Sequence, residues 1–545
     1  MPQSYGNFVK LAMRETAETP DDFLRVKKNI CKKLKIQPPT NADIREAYEK
    51  MVAEKQIKRN LLFEKLLIGK KMRTQSGVAV IAVLTKPYGC PGKCLYCPTE
   101  KNMPKSYLKN EPAVMRAIIA KFNPYIQTQK RIRALELNGH KTDKIELIVM
   151  GGTFSYFPKS YQKKFIAECF RACNDYPSSP PLLTKERVEV RLTREQTRNE
   201  TAKCRIIGLT LETRPDYIDE KEILNFRNLG CTRVELGAQS IFDDVLKLNK
   251  RGHNVSETIH ATKLLKNAGF KINYHTMPGL YGSNLKKDYK MFQELFSNSD
   301  FQPDMLKIYP TIVLKDSELY NVWKKGSYKA LTDKQFEKNI LRVKEKIIPP
   351  YVRIARLVRD VPAESILAGP IISNLRQLIA KKSHCQCIRC REVRGNYNMD
   401  ENIILNRIDY NASGGKEIFL EYVSSDKKKL FALLRLRIPS ASFVETHCNA
   451  SLQQNEKLYN FFPALKNAAL IREVHTYGKM AEINKQDKES PQHIGFGKKL
   501  VLEAEKIARK EFGFKKIAII SGIGARNYYR KLGYRLKDSY MVKKI

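Results

Sequence analysis

Between Lys86 and Glu100 the chain reads KPYGCPGKCLYCPTE, and the three cysteines of that stretch, Cys90, Cys94 and Cys97, constrain the molecule more than any other feature. Their C-x3-C-x2-C spacing puts three thiols on one loop rich in proline and glycine. A [4Fe–4S] cluster ordinarily takes four cysteines, so a three-cysteine loop leaves one iron open to another ligand. A zinc knot is the competing reading, but zinc sites usually come as two C-x2-C pairs or as pairs completed by histidine.

At 545 residues the chain has room for three or four domains of about 150 residues each. Its 99 Lys and Arg against 57 Asp and Glu give a net charge of +42, which points to a polyanionic partner. The start, MPQSYGNFVK, lacks the apolar core of a signal peptide, and no run is long enough to cross a bilayer. A cytoplasmic protein without a membrane partner is the expectation, and its twelve cysteines are then not a disulfide framework. Six of them fall in two tight groups; Cys31, Cys169, Cys173, Cys204, Cys231 and Cys448 read as small buried apolar residues.

Residues 1–75 are polar, basic and helical in spacing, and KQIKRNLLFEKLLIGKKMR carries Lys58, Arg59, Lys70, Lys71 and Arg73 along an amphipathic pattern. A helical RNA-binding module is expected there. From residue 76 to 375, short apolar runs alternate with helical stretches, the texture of βα units and a parallel sheet. Strands are expected at 77–85, 144–150, 205–211, 232–236, 271–276 and 305–310, six in all, making an open, partial (β/α)6 barrel. In such folds the site lies at the C-terminal strand ends. There the chain offers the cysteine loop, then Gly151-Gly152-Thr153, Glu212 with Arg214, Gln239, and His275.

A second triplet, Cys385, Cys387 and Cys390, lies in a linker at 376–400 and reads as a structural Zn2+ site whose fourth ligand is not evident. Residues 401–545 change rhythm again, with antiparallel-looking strands, a glycine turn and a long helix. Gln492-His493-Ile494-Gly495-Phe496-Gly497, followed by Lys498, is the Q-x-x-G-x-G of GNAT-type acetyltransferases, in which backbone N–H groups at a helix N-terminus hold a pyrophosphate. An α+β acetyltransferase domain binding acetyl-CoA is expected, with His475 and one or both of Tyr528 and Tyr529 as catalytic candidates.

The cysteine spacing is that of radical S-adenosylmethionine (SAM) enzymes. Together with PKSYLKNEPAVMRA, GGTF, LTLETRPD, RVELGAQS, RGH and LKIYPT, it resembles the Elongator catalytic subunit family in a single-subunit, archaeal-looking form. The resemblance implies a tRNA-modifying enzyme that makes 5-carboxymethyluridine at the wobble position. Cys90, Cys94 and Cys97 would hold the cluster; Gly151 to Thr153 would touch the amino group of SAM, and Glu212, Arg214 and Gln239 its carboxylate and ribose. The 5′-deoxyadenosyl radical would take hydrogen from the methyl of acetyl-CoA, and the carbon radical would add to uridine in a splayed anticodon loop. It leaves the electron donor open and allows a homodimer. A protein lysine acetyltransferase with a structural iron–sulfur barrel is the alternative. One departure stands out: Gly279 follows Met277-Pro278 where the family carries an acidic residue.

Overall fold

The computed structural model describes residues 5–36, 38–67, 76–177, 191–380, 382–394, 397, 401–439, 456–478 and 495–545. The chain opens with four helices, α1 (Gly6–Ala12), α2 (Pro20–Leu34), α3 (Asn41–Ala53) and α4 (Leu61–Leu66). Capping boxes start α2 and α3, where Thr19 and Asp22, then Thr40 and Asp43, satisfy each other's backbone N–H groups. Phe8, Val9, Phe23, Ile44, Tyr48 and Phe63 close a core of their own. Arg133, on the helix Pro124–Leu137, lies 3.6 Å from both Glu46 and Glu49 of α3 and joins this unit to the next.

The next sheet is wholly parallel and runs in chain order: β1 (Ala79–Leu84), β2 (Lys144–Met150), β3 (Arg205–Thr213), β4 (Arg233–Gln239), β5 (Lys271–Thr276), β6 (Met305–Ile308) and β7 (Arg353–Arg356). Helices cross between consecutive strands, as parallel pairing requires. Strand order never returns to β1, so the barrel is open. The expectation of six strands is corrected to seven. Arg353-Ile354-Ala355-Arg356 offers a single buried apolar side chain among four residues and reads as loop, yet it pairs with Met305–Lys307.

A second sheet of seven strands follows, formed by β8 (Ile403–Ala412), β9 (Gly415–Ser424), β10 (Leu430–Ile438), β11 (Ala469–Thr476), β12 (Lys516–Ile519), β13 (Arg535–Lys537) and β14 (Tyr540–Lys544). All its pairs are antiparallel except β11 with β12. The helix Phe496–Lys510 packs its apolar face, Leu500, Val501, Ala504 and Ile507, against this sheet.

The two sheets are joined by charges without solvent access. Asp304, just before β6, meets Arg472 of β11 at 2.6 Å and Lys266 at 3.5 Å, while Glu417 of β9 meets Arg437 at 2.9 Å and Arg472 at 3.1 Å. Desolvation cancels much of what such pairs gain, but removing one partner strands a buried charge at a cost of about 3–5 kcal/mol. The network therefore fixes how the halves meet more than it adds stability.

Candidate functional site

The cysteine loop leaves the C-terminal end of β1 and walls a cavity of about 1270 Å3. Arg251 Nη1 donates to Cys94 Sγ at 3.4 Å and its Nη2 to the Gly237 carbonyl at 2.5 Å, while the Gly92 N–H points at Cys90 Sγ from 3.4 Å. Burial pushes the Cys97 thiol up to about 11, with Cys94 adding to it. A coordinated metal ion deprotonates such a cysteine outright. The arginine and amide donors suit sulfurs that carry negative charge.

Beyond the loop, the strand ends converge. Gly151 adopts φ +131°, and a Cβ there would sit 1.9 Å from Thr85 Oγ1, so only glycine passes this point. Thr153 is buried with its hydroxyl 4.0 Å from Cys90 Sγ. Arg214 is forked onto Asp216 at 2.9 and 2.8 Å, which leaves Nη1 without a protein partner, and Gln239 Oε1 is likewise orphaned. Gln239 ends β4 at φ +66°, a strained setting for a side chain of its size. Both residues line the cavity and are buried or half-buried, and an orphaned buried donor and acceptor fit a ligand that brings carboxylate and hydroxyl groups. Gly92 and Gly237 keep the cradle open, since a Cβ at either would fall 2.4 or 2.5 Å from an arginine nitrogen.

Deeper in, Glu212, Glu235 and His275 bring their ligand atoms within 4.8 Å of one another. Lys307 already supplies the cation, paired to Glu235 and lying 3.8 Å from Glu212. Burial, opposed by Lys307 and reinforced by Glu235, pushes Glu212 up to about 7. Glu235 is held well below the usual carboxylate range, against its burial, by Lys307 and by His275 at 3.0 Å. His275 is lowered by burial and by Lys307. Two neighbouring carboxyls of opposite protonation are a proton-handling arrangement. At Gly279 the N–H is bound by Asp288 at 2.8 Å, and Leu331 fills the space where a side chain would start.

The second triplet is built differently. The sulfurs of Cys385, Cys387 and Cys390 lie within 4.8 Å of one another, and no fourth His, Cys, Asp or Glu joins them among the described residues. Hydrogen bonds from Cys385 and Cys390 lower the Cys387 thiol below its ordinary range, and three cysteine sulfurs so close together are donors of the kind a zinc ion takes. His384 is exposed and outside the group. Ile388 N–H bonds the Val352 carbonyl at 2.9 Å and Val393 N–H the Leu430 carbonyl at 3.0 Å, pinning this linker to both halves.

In the second half, Gly495 stands at the N-cap of the long helix with φ +80° and Phe496 packs on Tyr422 with ring centroids 4.6 Å apart. Tyr528 Oη lies 3.1 Å from where a Gly497 Cβ would be, so this hydroxyl reaches the helix N-terminus, whereas Tyr529 is buried. Burial pushes Tyr528 up to about 12. Lys498 is exposed. Gln492, His493 and Ile494 lie outside the described residues. His475 faces away from this group: Val474 and Thr476 approach Gly497, while His475 Nε2 meets the Ser76 carbonyl at 2.8 Å and lines the cavity of the first half. Of the basic candidates, Lys58 is exposed and Arg59 is paired to Glu64 at 2.8 Å; Lys70, Lys71 and Arg73 lie outside the described residues.

Arg251, Glu235 and Lys307 carry no signal of a role in the sequence alone. Each stood inside a quoted segment, RGH, RVELGAQS or LKIYPT, but only the fold turns them toward one space.

The Radical SAM superfamily matches residues 84–295 and the Radical_SAM C-terminal domain matches 303–384. The chain is 45% identical over 498 residues to a tRNA uridine(34) acetyltransferase of Methanocaldococcus infernus, covering 88% of each chain. It is 38% identical over 505 residues to Elongator complex protein 3 of Homo sapiens, covering 89% of this chain and 87% of that one. The structure of the archaeal Methanocaldococcus infernus Elp3 with an N-terminal deletion superposes with a TM-score of 0.70 at 42% identity, over 86% of this chain and all of that one. The parallel half-barrel is thus a radical SAM domain.

Proposed function

The chain belongs to the family of the tRNA uridine(34) acetyltransferases and Elongator complex protein 3, and from that premise we propose that it modifies the wobble uridine of tRNA to 5-carboxymethyluridine with acetyl-CoA as carbon source. The observation that carries the reading is the cavity itself, which runs from the cysteine loop to His475 of β11 and the adjoining Tyr477, so that residues of both halves line one space.

In this reading Cys90, Cys94 and Cys97 hold a [4Fe–4S] cluster, and Gly151, Gly152, Thr153, Arg214 and Gln239 bind SAM. When bound, these groups supply one-electron chemistry strong enough to take hydrogen from an unactivated methyl group. Arg251 keeps the sulfur side of the loop positively charged. Glu212, poised near neutrality, can hold or move a proton within the cavity. The N-terminus of Phe496–Lys510, with Gly495, Phe496, Gly497 and the Tyr528 hydroxyl, takes the acyl carrier as a GNAT-type domain does. Cys385, Cys387 and Cys390 hold zinc that pins the linker. The net charge of +42 binds the phosphate backbone, with Lys58 on the N-terminal helices among the contacts.

Incubating reconstituted protein with unmodified tRNA, SAM, acetyl-CoA and a reductant should produce 5-carboxymethyluridine in the nucleoside digest by mass spectrometry. Acetylated protein lysines with unchanged tRNA would overturn the reading.

A further inference from the structure

Just before Cys90, outside the cavity, aromatic rings form a column. Tyr88 stacks on Phe157 with centroids 4.7 Å apart and 24° between planes, and Phe157 stacks on Tyr161 at 4.7 Å and 20°. Beside it Tyr156 meets Tyr88 at 6.0 Å and sits edge-on to Tyr217 at 6.2 Å. Phe154 and Phe165 are buried beneath, and the Tyr161 hydroxyl accepts the Lys86 N–H at 3.1 Å, so the base of the column is held by the core. Its top is not: Tyr88 and Tyr156 are 41% and 42% exposed. Two large rings held rigidly in water, next to the loop that walls the reaction cavity, do not contribute to the core in proportion to their size. Lys86 and Lys93 are exposed on the same loop as Tyr88, Lys86 reaching over the Tyr161 ring at 5.0 Å, and two carboxylates of the neighbouring segment are ion-paired, Asp216 to Arg214 and Glu222 to Lys159.

We propose that Tyr88 and Tyr156 form a stacking shelf for unpaired RNA bases, namely the loop nucleotides flanking the one that enters the cavity. The inference deepens the tRNA reading and rests on it. A rigid ring that ends a parallel stack offers a base its next layer with little entropy to lose. Base-on-aromatic stacking is the sequence-tolerant way proteins hold single strands. The lysines serve the accompanying phosphates. An acidic electron-transfer protein would also be attracted to lysines, but it has no need of an exposed ring that ends a parallel stack with a second exposed ring beside it.

The test uses the full-length, cluster-loaded protein and an anticodon stem-loop RNA carrying 2-aminopurine beside the target uridine. Wild type should quench the probe. Tyr88→Ala should abolish that quenching and weaken binding about 5- to 100-fold, with iron content and unfolding temperature unchanged. Tyr88→Phe should restore both, and Tyr156→Ala should give a smaller loss. Wild-type affinity and quenching in Tyr88→Ala would overturn the shelf; if that variant lost turnover only with a protein reductant, the surface would belong to the electron donor instead. Failure of the wild-type protein to bind the RNA at all would refute the tRNA reading and the shelf with it, whereas loss of the shelf alone leaves that reading standing.

Discussion

The molecule carries two cysteine triplets of nearly the same length and opposite design. Cys385, Cys387 and Cys390 draw their sulfurs within 4.8 Å of one another on a linker hydrogen-bonded to both halves, a closed set suited to one ion. Cys90, Cys94 and Cys97 edge a cavity of about 1270 Å3 with arginine and amide donors on the sulfurs and orphaned polar atoms beyond. Spacing separates the two only weakly. What separates them is the surroundings: a triplet that faces space and unmet hydrogen-bonding groups is placed to react, and one turned in on itself is placed to hold.

The largest effect that sharpens this contrast is on chemistry. Cys94→Ser should lower SAM cleavage by more than about a thousandfold with little change in unfolding temperature; cleavage surviving in that variant would erase the distinction. Cys387→Ser should do the reverse, lowering the unfolding temperature by about 5 °C or more and releasing bound zinc while the cluster still assembles. Arg214→Gln should weaken SAM binding about 10- to 100-fold, the range for losing a charged hydrogen bond, as read by calorimetry.

A smaller effect comes from Glu212, whose carboxyl burial raises from 4.5 to about 7. A group that holds its proton more tightly when folded contributes full stability below its ordinary range and loses it as pH rises through the folded value. Between pH 4.5 and about 7 it therefore makes the protein less stable as pH rises, by up to about 3 kcal/mol. Glu212→Gln should flatten that slope in denaturant titrations, and an unchanged slope would place the proton elsewhere. The smallest change expected is from Lys58→Ala, about a 2- to 5-fold loss of tRNA affinity at low salt that vanishes at high salt.

Much of the half-barrel is legible in the sequence. The first six strands of the half-barrel are found within a few residues, because runs such as KIELIVM alternate with helices of period 3.6. β7 escaped because Arg353 and Arg356 flank its apolar residue. β8 escaped too, since Ile403–Ala412 places polar residues on its outer face and lies beyond the recognised motifs. The strand-end residues were legible as candidates, but their partnership was not. Glu235 and Lys307 are 72 positions apart and meet only across the sheet. Lys266, Arg472 and Arg437 look like surface charges in a basic chain, and only long-range packing buries them against Asp304 and Glu417.

In the proposed function the two halves serve one reaction, and this coupling is the most exposed part of it. It is tested most directly by supplying acetyl-CoA deuterated in the methyl group together with SAM, reductant and tRNA, and measuring the mass of the 5′-deoxyadenosine released. One deuterium is expected in that product and two in the carboxymethyl group of the modified uridine. 5′-Deoxyadenosine formed without deuterium, beside acetyl-CoA left intact, would contradict it.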